Sequence, residues 1–314
     1  MDASEIQGLI LRLFEGLGKD QIKFLVSMSF SCLFGFVMKN YVKPARYGYK
    51  LRAILTFIAG IAMCIICYET KTLHVIFSLV VPYAFMKFFS EETSFYLSSL
   101  FCFLHLSICH MWRMYNDYGS YEIDVTAPLM VMVQRITLLN ASLCDGKILN
   151  GINDEEKSKL SEIRKEHAIK KKPDILEFLA YMTSYQTILV GPLVPFHIHR
   201  AYLYGNEETL LKNDIEVEKF KSEREHVLLA KDVIFTRTKR AIIFGILYLI
   251  AGSRFPVSFF TSTQYQSYSF MKKITYLWST AIFMRLTYYF AWNFCEYLGA
   301  SVVHFIVCVG SIES

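Results

Sequence analysis

Apolar residues run along this 314-residue chain in blocks of about 18–22, set apart by charged loops. At 1.5 Å rise per residue a helix of that length matches the hydrocarbon of a bilayer. The blocks fall at 21–38, 53–68, 72–89, 94–112, 125–144, 175–196, 241–260 and 273–292, with a weaker one at 297–310. No water satisfies the backbone inside hydrocarbon, so each block is expected to be helical. Ahead of the first, Ile6, Leu9, Ile10, Leu13, Phe14 and Leu17 recur at helical spacing. They predict a short amphipathic helix over 1–20, lying in the membrane interface or packed on the bundle. Asp2 and Glu5 stand where a cleavable signal would carry positive charge, so no signal peptide is expected.

Composition sharpens this picture. Charged residues make up 19% of the chain, hydrophobic ones 54% and aromatic ones 16%, with mean hydropathy +0.32. Soluble domains carry about 25% charged residues, so a soluble globule, a disordered chain and a fibre are excluded. The net charge of +5 matters through its placement. Lys39, Lys43, Arg46, Lys50 and Arg52 follow the first block with no acid among them, which marks that loop as cytosolic. Counting forward, the segment after the fifth block is cytosolic too. It carries Lys147, Lys157, Lys159, Arg164, Lys165, Lys170, Lys171 and Lys172, so two loops agree. Gly191-Pro192 and Pro195 interrupt the 175–196 block. A chain that turns back there leaves 197–240 cytosolic, and one that crosses puts it on the far side.

Polar groups inside the blocks are the candidates for chemistry, because placing them in lipid costs several kcal/mol. The fifth block holds Gln134, Arg135, Thr137, Asn140 and then Cys144-Asp145-Gly146. At 100° per residue Gln134, Thr137, Ala141, Cys144 and Asp145 share one arc, either interhelical glue or the wall of a wet cavity. Arg285, Tyr288, Tyr289, Trp292 and Glu296 share a second face, an anion clamp with aromatic walls or an interface belt. Of the eight Cys, seven lie in apolar stretches and Cys144 ends another. They read as small hydrophobes rather than a disulfide framework, Cys64 and Cys67 included. Asn140-Ala141-Ser142 lies inside a span and is expected to carry no glycan. The eight His are scattered: His197 and His199 lack a carboxylate or Cys at ligand spacing, and His105 and His110 point different ways. No metal site, nucleophile elbow, phosphate loop or dinucleotide fingerprint emerges.

Several runs in register resemble the membrane-bound O-acyltransferase family, most of all its branch that reacylates lysophospholipids. They are Asp117-Tyr118-Gly119, Ile123-Asp124, Ala127-Pro128-Leu129-Met130, Gln134-Arg135-Ile136-Thr137 and Cys144-Asp145-Gly146. Ala168-Ile169-Lys170, Lys172-Pro173, Leu176 to Tyr181, Ile188 to Pro192, Arg285 and Tyr288 to Trp292 continue the likeness. The resemblance implies an all-α, polytopic membrane helix bundle of that family's type, with about eight or nine hydrophobic spans. It divides the chain into the helix at 1–20, a partial acyltransferase domain at 21–296 and a divergent tail at 297–314. It implies a multi-pass protein of the endoplasmic reticulum that moves a fatty acyl group from acyl-CoA, as co-substrate, to a lysophospholipid, with no bound cofactor. The implied substrate-binding residues are Gln134, Thr137, Asp145, Gly191, Pro192, Arg285, Tyr288, Tyr289 and Trp292.

The family's catalytic Asn and His lie in Trp-Asn and Trp-His-Gly segments beyond the Tyr-Tyr-Phe-Ala-Trp helix, and this sequence matches neither. Asn293 belongs to the earlier helix and His304 is not followed by Gly. The resemblance thus places both catalytic residues beyond Ser314. No catalytic residue is carried over, and a C-terminally truncated form is expected. The alternative function is a non-catalytic isoform that binds lipid or partner, alone or with a full-length copy. A small-solute transporter would need an internal inverted repeat, which the sequence lacks. No nucleic-acid partner is expected. The apolar blocks make one direct prediction: alkaline carbonate leaves the protein in the membrane pellet. Release into the supernatant would contradict a membrane-spanning chain.

Overall fold

The computed structural model describes residues 19–117, 124–189, 191–206, 235–236, 239–240, 242–247 and 255–302. The amphipathic stretch before residue 19 and much of the 241–260 block lie outside them. So does the end of the divergent tail, from His304 to Ser314, and with it the expected truncation point. The described elements are helices throughout. In chain order they are α1 (Lys19–Asn40), α2 (Pro44–Tyr68), α3 (Thr72–Phe88), α4 (Glu91–Asn116) and α5 (Thr126–Asn150). Two short helices follow, α6 (Asp154–Ser158) and α7 (Glu162–His167), then α8 (Ile175–Met182), α9 (Phe196–Tyr204), α10 (Thr263–Gln266) and α11 (Phe270–Val302). The chain divides into two compact units, residues 1–212 and 213–314.

Among the described residues four helices are long and apolar enough to cross a membrane, against the eight or nine blocks of the sequence. They are Ile22–Asn40, Pro44–Phe88, Glu91–Asn116 and Thr126–Asn150. The second contains α2 and α3, separated by a 3₁₀ turn at Glu69–Lys71 where Glu69 adopts φ 51°. Their outward side chains are large and apolar, among them Leu33, Phe36, Ile58, Val80, Tyr96, Leu100 and Ile108. A monomer in water rarely exposes so continuous an apolar surface, whereas a lipid-facing bundle does. Helix α11 runs unbroken from Phe270 to Val302, so the block at 273–292 and the described start of the 297–310 block, to Val302, lie in one helix.

Polar contacts mark the two ends of the first unit. At one end Lys23 meets Glu69 at 2.6 Å, and Asp124 receives Lys71 and Arg113, each at 3.7 Å. At the other, Ser90 caps α4 by accepting from the Thr93 N–H, with Glu91 and Glu92 in the first turn favoured by the helix dipole. Lys147 pairs with Glu92 at 3.1 Å. Lys172 donates to the carbonyls of Met86 and Phe89 at 2.9 and 3.1 Å, closing the C-terminus of α3 with an ammonium. These contacts gather the Lys-rich loops at one end, as the charge bias of the sequence requires.

The segment between α5 and α8 is docked through the Asp145-Gly146 pair. Asp145 is buried and takes both Arg164 Nε and Nη2, at 3.1 and 2.5 Å. The Ile169 N–H bonds to the Ser142 carbonyl at 2.8 Å, which brings that strand of chain flat against α5. A Cβ on Gly146 would lie 1.9 Å from the Ile169 oxygen, so the approach is open to glycine alone. Gly146→Ala is therefore expected to destabilise the fold by roughly 1–3 kcal/mol through overpacking. Thermal unfolding in detergent checks it, and an unchanged midpoint would contradict the close approach.

Candidate functional site

The 175–196 block does not form the interrupted span that its hydropathy suggests. α8 opens with a complete capping box, Asp174 accepting from the Glu177 N–H and Glu177 accepting from the Asp174 N–H. It ends after eight residues at Met182, about 12 Å of helix and too short to cross. Thr183, Ser184 and Thr187 follow, all buried, their hydroxyls competing with the helical backbone. The chain then returns through Gly191 and Pro195 into α9.

Entry and exit lie together. The Tyr49 hydroxyl donates to the Asp174 carboxylate at 2.9 Å, and the Tyr49 ring stacks on Tyr204 at 4.4 Å. Arg200 on α9 reaches the buried Glu177 on α8 at 2.8 Å. Residues 174–189 and 191–204 thus form a hairpin whose two ends lie beside the N-terminal part of α2. An apolar run read as a span is, in this fold, buried mostly by protein instead of by lipid. Hydropathy does not distinguish the two.

Irregular backbone at membrane depth must find its hydrogen bonds within protein. Arg135 on α5 supplies them, and it is almost wholly buried. Its Nη1 donates to the carbonyls of Tyr181 and Met182 at 2.8 and 2.6 Å, and its Nη2 donates to the Thr187 hydroxyl. A guanidinium thus sits on the C-terminus of α8, where carbonyls are unpaired and the dipole is negative. Ser31 on α1 donates to the Tyr185 carbonyl at 3.1 Å, and the Tyr181 hydroxyl to the Val194 carbonyl at 2.9 Å. Gly191 stacks on this knot: its N–H bonds to the Thr187 carbonyl at 3.0 Å, and a Cβ would meet the Thr187 Cα at 2.3 Å.

A second buried guanidinium, Arg52, lies over the Tyr202 ring at 4.2 Å. His199 sits between Tyr181 and Tyr202, ring centroids 5.5 and 6.1 Å apart. Neither Arg52 nor Arg135 has a carboxylate within ion-pair distance among the described residues. Arg52 Nε, Arg135 Nε, Gln186 Nε2 and His199 Nε2 are buried without a hydrogen-bond partner there. Buried polar atoms are nearly always paired, so orphans on the hairpin and on the α2 and α5 residues packed against it mark a polar interior suited to an anionic or hydroxylated group.

The sequence-derived residues fall at different places in the two units. Asp145 is buried at the docking seam, and its hydrogen bonds and charge raise the pKa of Arg164. Thr137 turns its hydroxyl back to the Val133 and Gln134 carbonyls of its own helix, at 2.9 and 3.0 Å, and Gln134 is exposed. Asn140, buried on the other face, binds the Ser94 hydroxyl at 3.0 Å. Gly191 joins the Arg135 knot through Thr187, and Pro192 is exposed beside it. Arg285, Tyr288, Tyr289 and Trp292 lie on α11 in the second unit, all exposed, with the Tyr288 and Tyr289 rings 6.2 and 6.1 Å from Trp292. Sequence reasoning counted Arg52 as a loop cation, set His199 aside for want of metal-ligand partners and left Arg135 off the functional arc. The usable signal was a lone arginine amid apolar residues, a rarer event than a polar stripe. The expectation that the family's catalytic Asn and His fall beyond Ser314 concerns positions outside the described residues.

A separate groove of about 350 Å³ opens at the Lys-rich end, lined by Glu91, Leu143, Lys147, Asn150, Lys170 and Lys172. Lys147 and Lys172 are engaged by Glu92 and Glu91, while Lys170 is exposed without an ion pair among the described residues.

The membrane-bound O-acyltransferase family matches residues 69–308, which include the docking seam, the hairpin and α11. The chain is 26% identical over 282 residues to a rat protein, membrane-bound glycerophospholipid O-acyltransferase 2, covering 88% of this chain and 52% of that one. It is 25% identical to lysophospholipid acyltransferase 6 of Drosophila melanogaster, covering 88% of this chain and 38% of that one. It is 26% identical to the mouse membrane-bound glycerophospholipid O-acyltransferase 1, covering 90% and 56%. The chain therefore spans about half the length of the curated relatives it matches.

The geometry predicts that Arg135→Ala, which strands two carbonyls and a hydroxyl, destabilises the fold by about 2–4 kcal/mol. Arg135→Lys should recover only part, since one ammonium does not span three acceptors. Unfolding midpoints in detergent decide this, and full rescue by lysine would contradict the clamp.

Proposed function

The chain belongs to the membrane-bound O-acyltransferase family, and from that premise we propose that it serves transfer of a fatty acyl group from acyl-CoA to a lysophospholipid. The observation that carries this reading is the family match itself, which runs through both the Asp-Gly seam and the Gly-Pro hairpin. Arg52, Arg135 and His199 suit the acceptor side, where an anionic head group and a hydroxyl need polar partners inside an apolar bundle. The Lys147 and Lys170 groove, at the Lys-rich end where the hairpin also enters and leaves, suits the phosphates of the donor. Burial of the two amphiphiles within one bundle keeps water from the thioester. The residues Gln134, Thr137, Asp145, Gly191, Pro192, Arg285, Tyr288, Tyr289 and Trp292 belong to this proposal as substrate-binding positions, and the endoplasmic reticulum as its compartment.

A second reading rests on the unpaired polar atoms buried at the hairpin, which suit binding as well as turnover. In it the chain binds lipid or a full-length copy without turning over. The two part in a simple assay. In both, the purified chain binds a fluorescent long-chain acyl-CoA, and Lys147→Gln with Lys170→Gln weakens binding at least threefold. Lys172 is spared because it closes α3. Unaltered affinity would remove the groove from the donor site, and no binding at all would contradict the proposal. Radiolabelled acyl transfer above background would favour catalysis, and its absence the binding isoform.

A further inference from the structure

Far from the hairpin, at the end of the bundle away from the Lys-rich loops, three metal-ligating side chains converge between α3 and α4. His74 comes from the first turn of α3. His105 and Cys109 lie four residues apart on α4 and so share a face. His74 Nδ1 stands 3.1 Å from His105 Nε2 and 3.7 Å from Cys109 Sγ, and the three atoms all lie within 4.8 Å of one another. On the edges of a zinc tetrahedron two nitrogens are about 3.3 Å apart and a nitrogen and a sulfur about 3.6 Å. Two of the three separations already match those edges.

His105 is also oriented from behind. Its Nδ1 meets the Ser78 hydroxyl at 2.9 Å, while Phe77 and Phe101 pack against the ring at 5.3 and 5.8 Å. With Nδ1–H donated to Ser78, the Nε2 lone pair is the one aimed at His74, the arrangement that outer partners impose on ligating imidazoles. Nearby positive charge is answered: Lys71 and Arg113 both engage Asp124 at 3.7 Å.

We propose that His74 Nδ1, His105 Nε2 and Cys109 Sγ form a binding site for a divalent ion of the zinc class. Binding transfers the His74 ring proton from Nδ1 to Nε2 and releases the Cys109 thiol proton to solvent. The three protein ligands then hold the ion by two nitrogens and one thiolate, with a fourth position open to water. His74 is exposed near a helix terminus, which gives the ion a route from the aqueous side. The sequence did not announce the set, because His74 lies 31 residues before His105.

Cobalt(II) is the probe, since a thiolate ligand gives it an intense near-ultraviolet charge-transfer band. Titrated into the purified chain in detergent, Co(II) should develop that band, saturate near one equivalent, and be displaced by Zn(II). Cys109→Ser should abolish the band, and Cys102→Ser, on the same helix, should leave it intact. Ser78→Ala should weaken affinity about tenfold while keeping the band. If Cys109→Ser does not elute as a single species, His74→Gln carries the test, with a loss of at least tenfold expected. Absence of the band in the unaltered chain, its survival in Cys109→Ser, or unchanged affinity in His74→Gln would overturn the assignment.

Discussion

A carbonyl buried in an apolar bundle without a donor costs one to several kcal/mol, and the hairpin at 174–204 brings many such carbonyls inward. The Arg135 guanidinium answers the most acute of these needs at the end of α8. One planar fork meets two carbonyls and a hydroxyl, which neither lysine nor a neutral amide reproduces. Burying a guanidinium is itself costly. The cost is offset by charge-assisted bonds to the negative end of a helix dipole and by the Tyr181 ring beneath it. Without that contact the chain between Met182 and Gly191 keeps the Ser31 bond and the packing of Tyr185 to hold it inside.

From this clamp the rest of the first unit follows. Gly191 fits where it does because Thr187 is held by Arg135. α9 returns along α8 because Arg200 finds Glu177 there, and the exit is fixed by Tyr204 on Tyr49. On the other flank Asp145 and Gly146 hold the Lys-rich segment against α5, so the two short motifs that resemble the family act as docking points for irregular chain. Their shared role is to bring polar backbone and basic side chains to a membrane bundle that would otherwise be apolar throughout. The proposed acyl transfer would draw on such a combination: greasy walls for the chains, polar spots for a phosphate and a hydroxyl.

Much of this was legible in the sequence. The helical class, the first five blocks, the gathering of the Lys-rich loops at one end and the family likeness all follow from hydropathy and motifs that act locally. α5 runs six residues past its expected end because Cys144 to Asn150 are held by the docked segment, a contact no window sees. The polar arc through Gln134 and Thr137 has two readings in the sequence, since side chains that satisfy themselves on their own helix leave the same spacing as side chains lining a cavity. Arg135, one position further on, carries the tertiary structure. The 175–196 block misled for a related reason: a run buried by protein and a run buried by lipid have the same composition. His74 and Cys109 escaped because proximity between helices is not a property of spacing.

The re-entrant path is the claim on which the account stands, and topology tests it directly. Single cysteines placed at Pro173 and Asn206 in a background without accessible thiols can be labelled with a membrane-impermeant maleimide, before and after selective permeabilisation. The account predicts that both sites label from the same side, together with a cysteine in the 39–43 loop. Labelling of residues 173 and 206 from opposite sides would show that the apolar run crosses the membrane, and the Arg135 clamp would lose its meaning.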